Sequence, residues 1–132
     1  MQKIESSENL FLSVLSEAFT IHKLSPDASI PEEILKSNFY SVSKTENELS
    51  LVCSEVIEVQ SLQSSKGWKC IKVKGPLEFN LTGILAGISD ILTRGYISIF
   101  AISTFNTDYI LVRTHDLSSA REKLRKAGYK FE

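Results

Sequence analysis

Residues 68–112, WKCIKVKGPLEFNLTGILAGISDILTRGYISIFAISTFNTDYILV, restrict what this chain can fold into more than any other stretch. Ile71 and Val73 alternate with Lys72 and Lys74, the two-residue period of a half-buried strand. The turn Gly75-Pro76-Leu77-Glu78-Phe79-Asn80 follows and opens a helix predicted over residues 80–94. Leu81, Ile84, Leu85, Ile88 and Leu92 recur at helical spacing and make its apolar stripe. Asn80 suits the N-cap, and Gly95 the C-terminal stop. Residues 97–103 and 109–113 read as two apolar strands joined by a tight turn at Phe105-Asn106-Thr107-Asp108. Asp116 then caps a second helix with Leu117, Ala120 and Leu124 inward, while Arg121, Lys123, Arg125 and Lys126 sit outside near its negative end. Gly128 ends that helix, and residues 129–131 make a short last strand. The order βαββαβ is ferredoxin-like: an α+β unit with one antiparallel sheet and both helices on one face.

The first half reads as a shortened unit of the same kind. Residues 10–15 and 18–24 are strand-like, broken or bent at Ser16-Glu17. Pro31 suits the first position of a short helix, PEEILK. Residues 39–44 and 48–53 form a hairpin pattern around Thr45-Glu46-Asn47. Residues 41–52, SVSKTENELSLV, align without gaps on residues 101–112, AISTFNTDYILV. Ser43 then matches Ser103, Leu51 matches Leu111, Val52 matches Val112, and Glu48 falls on Asp108. This internal repeat predicts two units, 10–54 (shortened) and 67–132 (complete), joined by a Ser- and Gln-rich linker at 55–66.

The balance of residues narrows the classes of function. Fifteen basic and sixteen acidic residues leave a net charge of −1, no footprint for nucleic acid or an anionic membrane. No apolar run reaches transmembrane length, and the start MQKIESSENL lacks the apolar core of a secretion signal. The expected compartment is the cytosol. Cys53 and Cys70 lie in strand patterns without metal-ligand spacing, so buried free thiols are expected, and no metal or cofactor. His22 and His115 are isolated, each read as a satisfied or exposed imidazole. No nucleophile-elbow, zinc-protease or P-loop signature is present. The first turn, 75–80, contains no arginine of the kind acylphosphatase chemistry needs.

If the first two strands of the complete unit are sheet neighbours, its two turns meet at one sheet end. The helix start offers the unpaired N–H groups of Phe79, Asn80 and Thr82 to a carboxylate. Glu78 and Asp108 would repel a simple anion, so a zwitterion fits better, with its ammonium on either acid. Thr104 adds a hydroxyl, and Phe105 a wall or a stacking face. Each acid has a plainer reading too, Glu78 as a helix-dipole partner and Asp108 as a turn former. Gly83 and Gly87 lie opposite the apolar stripe; glycine there costs about 1 kcal/mol against alanine, which close approach by another backbone would explain. Residues 97–103 are apolar on both faces, so both are expected to be covered, by the other half or by a second chain.

These motifs, GWKCIKVKGPLEFNLTGIL, ISIFAISTFNTDYILV, HKLSPDASIP and NELSLVC, resemble the ACT-domain family. The resemblance covers residues 10–131 and is nearest to small tandem-ACT proteins of the cytosolic arginine-sensor (CASTOR) type. It implies two ACT units, a homodimer, and regulatory binding of a free amino acid without catalysis. It also implies a ligand lying between ACT units, touching Gly75, Glu78 and Thr82 on one side and Thr104, Phe105 and Asp108 on the other. The acids favour arginine or lysine as that amino acid, although Asn106 stands where an acid is common among relatives and leaves one fewer negative charge for a strongly cationic ligand. A module with the fold but no ligand, working only through assembly, is the alternative.

Overall fold

The computed structural model describes residues 10–74 and 83–132. Gly75, Glu78, Phe79, Asn80, Leu81 and Thr82 lie outside the described residues. The elements are β1 (Phe11–Leu24), α1 (Glu32–Leu35), β2 (Ser41–Lys44), β3 (Leu49–Ser54), β4 (Gln63–Val73), α2 (Ile84–Arg94), β5 (Ile99–Ser103), β6 (Asp108–Arg113), α3 (Leu117–Lys126) and β7 (Lys130–Phe131). The class is α+β, as expected. The chain forms two compact units, Glu17–Trp68 and a larger one built from Met1–Ser16 and Lys69–Glu132.

This division differs from the expected 10–54 and 67–132. The Ser16-Glu17 pair does not break the first strand; β1 is one strand of 14 residues. Its first residues serve the larger unit and its last residues the smaller. β4 likewise begins at Gln63, inside the expected linker, and serves both.

In the larger unit the strand order is β7-β1-β4-β6-β5. A plain ferredoxin-like sheet would pair β7 with β4; here the start of β1 lies between them. Backbone bonds fix it there: Lys74 N donates to Phe11 O (2.9 Å), and Glu132 N donates to Leu12 O (2.8 Å). β7 runs parallel to β1, with Phe11 opposite Lys130. One sheet face is apolar by alternation: Leu10 and Leu12, Ile71 and Val73, Ile110 and Val112. α2 covers it with Ile84, Ile88 and Leu92, and α3 with Ala120 and Leu124. Leu85 and Leu117 pack on the margin of this core. Burying a Val, Leu or Ile side chain contributes roughly 1.5–3 kcal/mol, so this stripe-on-sheet contact is the main stabilising feature of the unit.

Gly95 caps α2 as expected, and the residue after it, Tyr96, is left-handed with φ of 60°. Two local predictions change. Asp116 stands at the N-cap of α3 after a 3₁₀ turn (Thr114–Asp116), yet its side chain makes no capping bond. A Cβ on Gly87 would come within 3.2 Å of the Tyr129 hydroxyl, so a neighbouring side chain explains this glycine.

In the Glu17–Trp68 unit the order is β2-β3-β1-β4. β1 pairs antiparallel with β3, placing His22 opposite Leu51 and Thr20 opposite Cys53. Leu24, Leu49, Leu51, Cys53 and Ile57 surround Ile34 of α1, which is fully buried. Pro31 occupies the N-cap rather than the first helical turn. No second helix covers this face among the described residues: the chain runs from β3 to β4 through residues 55–62. Both cysteines are buried and free, and burial pushes the Cys70 thiol up to about 12.

Candidate functional site

The β5–β6 hairpin carries the described part of the predicted ligand site. Its strands pair from Ile99–Val112 to Ser103–Asp108, so the loop is residues 104–107. Three bonds close it. Thr104 N donates to Thr107 O at 2.9 Å, and Thr104 Oγ1 donates to the same oxygen at 3.0 Å. Thr107 N in turn donates to Thr104 Oγ1 at 3.3 Å. The Thr104 hydroxyl proton is thus committed to the loop, leaving a lone pair rather than a donor for any ligand.

Thr107 is the residue that sequence reasoning missed. It is buried, and its Oγ1 donates to Val73 O at 2.7 Å. That bond ties the loop to the last residue of β4, two positions before Gly75 in the chain. The only sequence signal was a threonine in a loop of otherwise exposed residues. Asp108, half buried, begins β6 and accepts from Ser103 Oγ at 2.6 Å. That bond satisfies one carboxylate oxygen. Phe105, at the loop tip, is 79% exposed. The structure therefore gathers Thr104, Phe105 and Asp108 on one loop, with Thr107 as its anchor. The other predicted contacts, Gly75, Glu78, Phe79, Asn80 and Thr82, fall outside the described residues.

The β2–β3 hairpin closes with the same loop bonds, one residue out of step with the alignment of 41–52 on 101–112. In β2–β3, Lys44 pairs with Leu49, and the loop is residues 45–48. Thr45 N donates to Glu48 O at 2.9 Å. Thr45 Oγ1 donates to Glu48 O and accepts from Glu48 N, at 3.4 and 3.1 Å. The same bonds recur around Thr104. Thr45 therefore corresponds to Thr104 and Asn47 to Asn106. Glu48 corresponds to Thr107, not to Asp108, whose counterpart is the buried Leu49.

Comparison with known proteins agrees with this fold. The sequence model of the ACT domain matches residues 63–126, from the start of β4 through α3. A second model, of an N-terminal domain, matches residues 17–57. The chain belongs to the ACT-domain family. The human protein named cytosolic arginine sensor for mTORC1 subunit 1 is 33% identical over 107 residues, which is 75% of this chain. The chain spans about a third of the length of the curated relatives it matches, 32% for that sensor. An Agobacterium tumefaciens protein of known crystal structure is 34% identical and superposes with a TM-score of 0.85, covering 93% of this chain and 92% of its own. Clostridium acetobutylicum aspartate kinase shares the ACT fold at 13% identity and a TM-score of 0.66, over 96% of this chain and 36% of the kinase. Among the described residues, no helix of this ACT protein is long and apolar enough to cross a membrane.

Proposed function

We propose that this ACT-domain chain is a regulatory protein that binds a free amino acid at the 104–108 loop and signals by changing its assembly or partner contacts, with no catalysis of its own. One observation supports the site most directly: the Thr107–Val73 bond, which tethers the loop carrying Asp108 to the strand end leading into residues 75–82. In this reading the ligand carboxylate is taken by backbone N–H groups where the chain enters α2, whose N-cap is Gly83 rather than the expected Asn80. Asp108 takes the ammonium with its remaining oxygen, and Glu78 assists. Phe105 walls the ligand. The name of the human relative favours arginine, with lysine as the other cationic candidate. A homodimer in the cytosol is part of the proposal.

Isothermal calorimetry against the twenty amino acids tests it. At least one is expected to bind, and Asp108→Ala should weaken it at least tenfold, since a hydrogen bond to a charged group contributes about 1.5–3 kcal/mol. No heat from any amino acid on folded protein would overturn the reading.

A second reading has its own support. β5 ends the strand order of its unit, and Ile99, Phe100 and Ile102 remain half buried within a single chain. An assembly module without a ligand would use this strand. Unchanged association after Asp108→Ala, with no response to amino acids, would favour that reading.

A further inference from the structure

The Glu17–Trp68 unit contains an open cavity of about 520 Å³, inside the usual range for small-molecule sites of about 300–1,000 Å³. Thr20, His22 and Ile57 are its buried floor, at 3%, 6% and 7% exposure. Glu55, Glu58 and Lys66 are exposed and stand at its rim. The absence of a helix between β3 and β4 accounts for the cavity. In the larger unit, the core-facing residues of β4 are Ile71 and Val73, sealed under α2 and α3. The corresponding face of β1 shows Thr20 and His22 instead, on the same side as Leu51 and Cys53.

His22 is only half satisfied. Its Nδ1 is 3.1 Å from Ser61 Oγ, while Nε2 is buried with no hydrogen-bond partner among the described residues. Buried polar atoms are normally paired, and an exception calls for an explanation. A serine hydroxyl can donate to Nδ1, which puts the ring proton on Nε2 and turns that nitrogen into a donor. Burial, and then the charge of Lys66, lower the His22 pKa from its ordinary value of 6.5, so the ring is neutral at pH 7 and Lys66 is the nearby cation.

We propose that this cavity binds a small zwitterion, its carboxylate between Lys66 Nζ and His22 Nε2 and its ammonium toward Glu55 or Glu58. The lining supplies the parts: His22 on the floor, where a small shift of the ring brings the enclosed Nε2 to the ligand, one cation and two carboxylates on the rim, and Ser64 and Gln60 beside them. The site lies within one unit and does not depend on the 104–108 loop. A bound carboxylate beside His22 would also offset the effect of Lys66 and raise the ring's pKa.

Imidazole nitrogen NMR on the whole chain tests this, because the only histidines are His22 and His115. Each of the twenty amino acids is titrated in turn, with acetate and methylammonium as the separated halves. At least one amino acid should shift the His22 ring signals saturably and raise their titration midpoint, leaving His115 unmoved. Lys66→Met, a change at an exposed position, should weaken that binding at least tenfold. Asp108→Leu should leave it unchanged. The proposal is overturned if no amino acid moves His22, or if acetate alone binds as tightly as the amino acid. Loss of the His22 response in Asp108→Leu would also overturn it, by making that response an echo of the hairpin site. Failure here with calorimetric binding intact would leave the hairpin proposal standing.

Discussion

The two hairpins, β2–β3 and β5–β6, are closed by the same threonine clasp and put to different uses. Thr45 and Thr104 each bond the residue three positions on through both backbone and side chain. After the clasp they diverge. In β2–β3 the next residue is Leu49, 5% exposed and packed with Leu24, Ile34 and Leu51. In β5–β6 it is Asp108, half buried and bonded to Ser103. One residue earlier, Glu48 is half buried, whereas Thr107 is buried and anchors the loop to Val73. A hairpin that only serves a core and a hairpin suited to display a carboxylate thus differ at two adjacent positions. The clasp is scaffold; the residues at its exit carry the distinction.

Exchanging the exit residues should break this comparison most forcefully. Leu49→Asp puts a carboxylate into an apolar cluster, and a loss above about 4 kcal/mol is expected. Chemical denaturation measures it. The reverse change, Asp108→Leu, should cost under about 1 kcal/mol, since an exposed hydrogen bond contributes little. It should nevertheless abolish amino-acid binding at that loop. Next comes the anchor. Thr107→Val leaves the Val73 carbonyl without its donor and should cost about 1–3 kcal/mol, whereas Glu48→Val should change stability by less than about 0.5 kcal/mol. The clasp itself predicts equality. Thr45→Ala and Thr104→Ala should each cost about 1 kcal/mol, and values far apart would mean the two loops are not the same device.

A further effect, seen only as pH is varied, concerns the His22 cavity. The His22 pKa is lower in the folded chain than in the unfolded one. The unfolded chain therefore takes up the proton first as pH falls below the ordinary value of 6.5. Stability is then full above that pH and declines below it, by about 1.4 kcal/mol for each unit the pKa is lowered. His22→Gln should flatten this part of the pH profile, read from urea midpoints at several pH values.

Much of the larger unit was legible because its elements obey simple periods. Ile71 and Val73 alternate with lysines, and Ile84, Ile88 and Leu92 repeat at helical spacing, so strand, helix and core follow directly. The register that relates the two hairpins was not legible. Ser43, Leu51 and Val52 have identical partners sixty positions on, and those apolar and small residues recur in any strand. The pair that marks the hairpin is Thr45 with Asn47, matched by Thr104 with Asn106 one position closer, and its meaning lies in hydrogen bonds that no identity score weighs. The unit boundary was also hidden. Ser16-Glu17 looked like a break, but a long strand crosses from one unit to the other without one. The His22 cavity had no periodic signature because it comes from an element that is absent. Of the ligand site, Asp108 and Phe105 could be singled out as an acid and an aromatic in a turn. Thr107 could not, because its burial depends on where β4 ends.

The most direct test of the difference between the two loops is backbone amide NMR of the intact chain during a titration with arginine, then with the other amino acids. The amides of residues 104–108 should shift saturably while those of residues 45–49 stay in place, and Asp108→Leu should erase the shifts. Equal movement of both loops, or a full titration series that leaves residues 104–108 unmoved, would contradict the assignment of the ligand to the Asp108 hairpin.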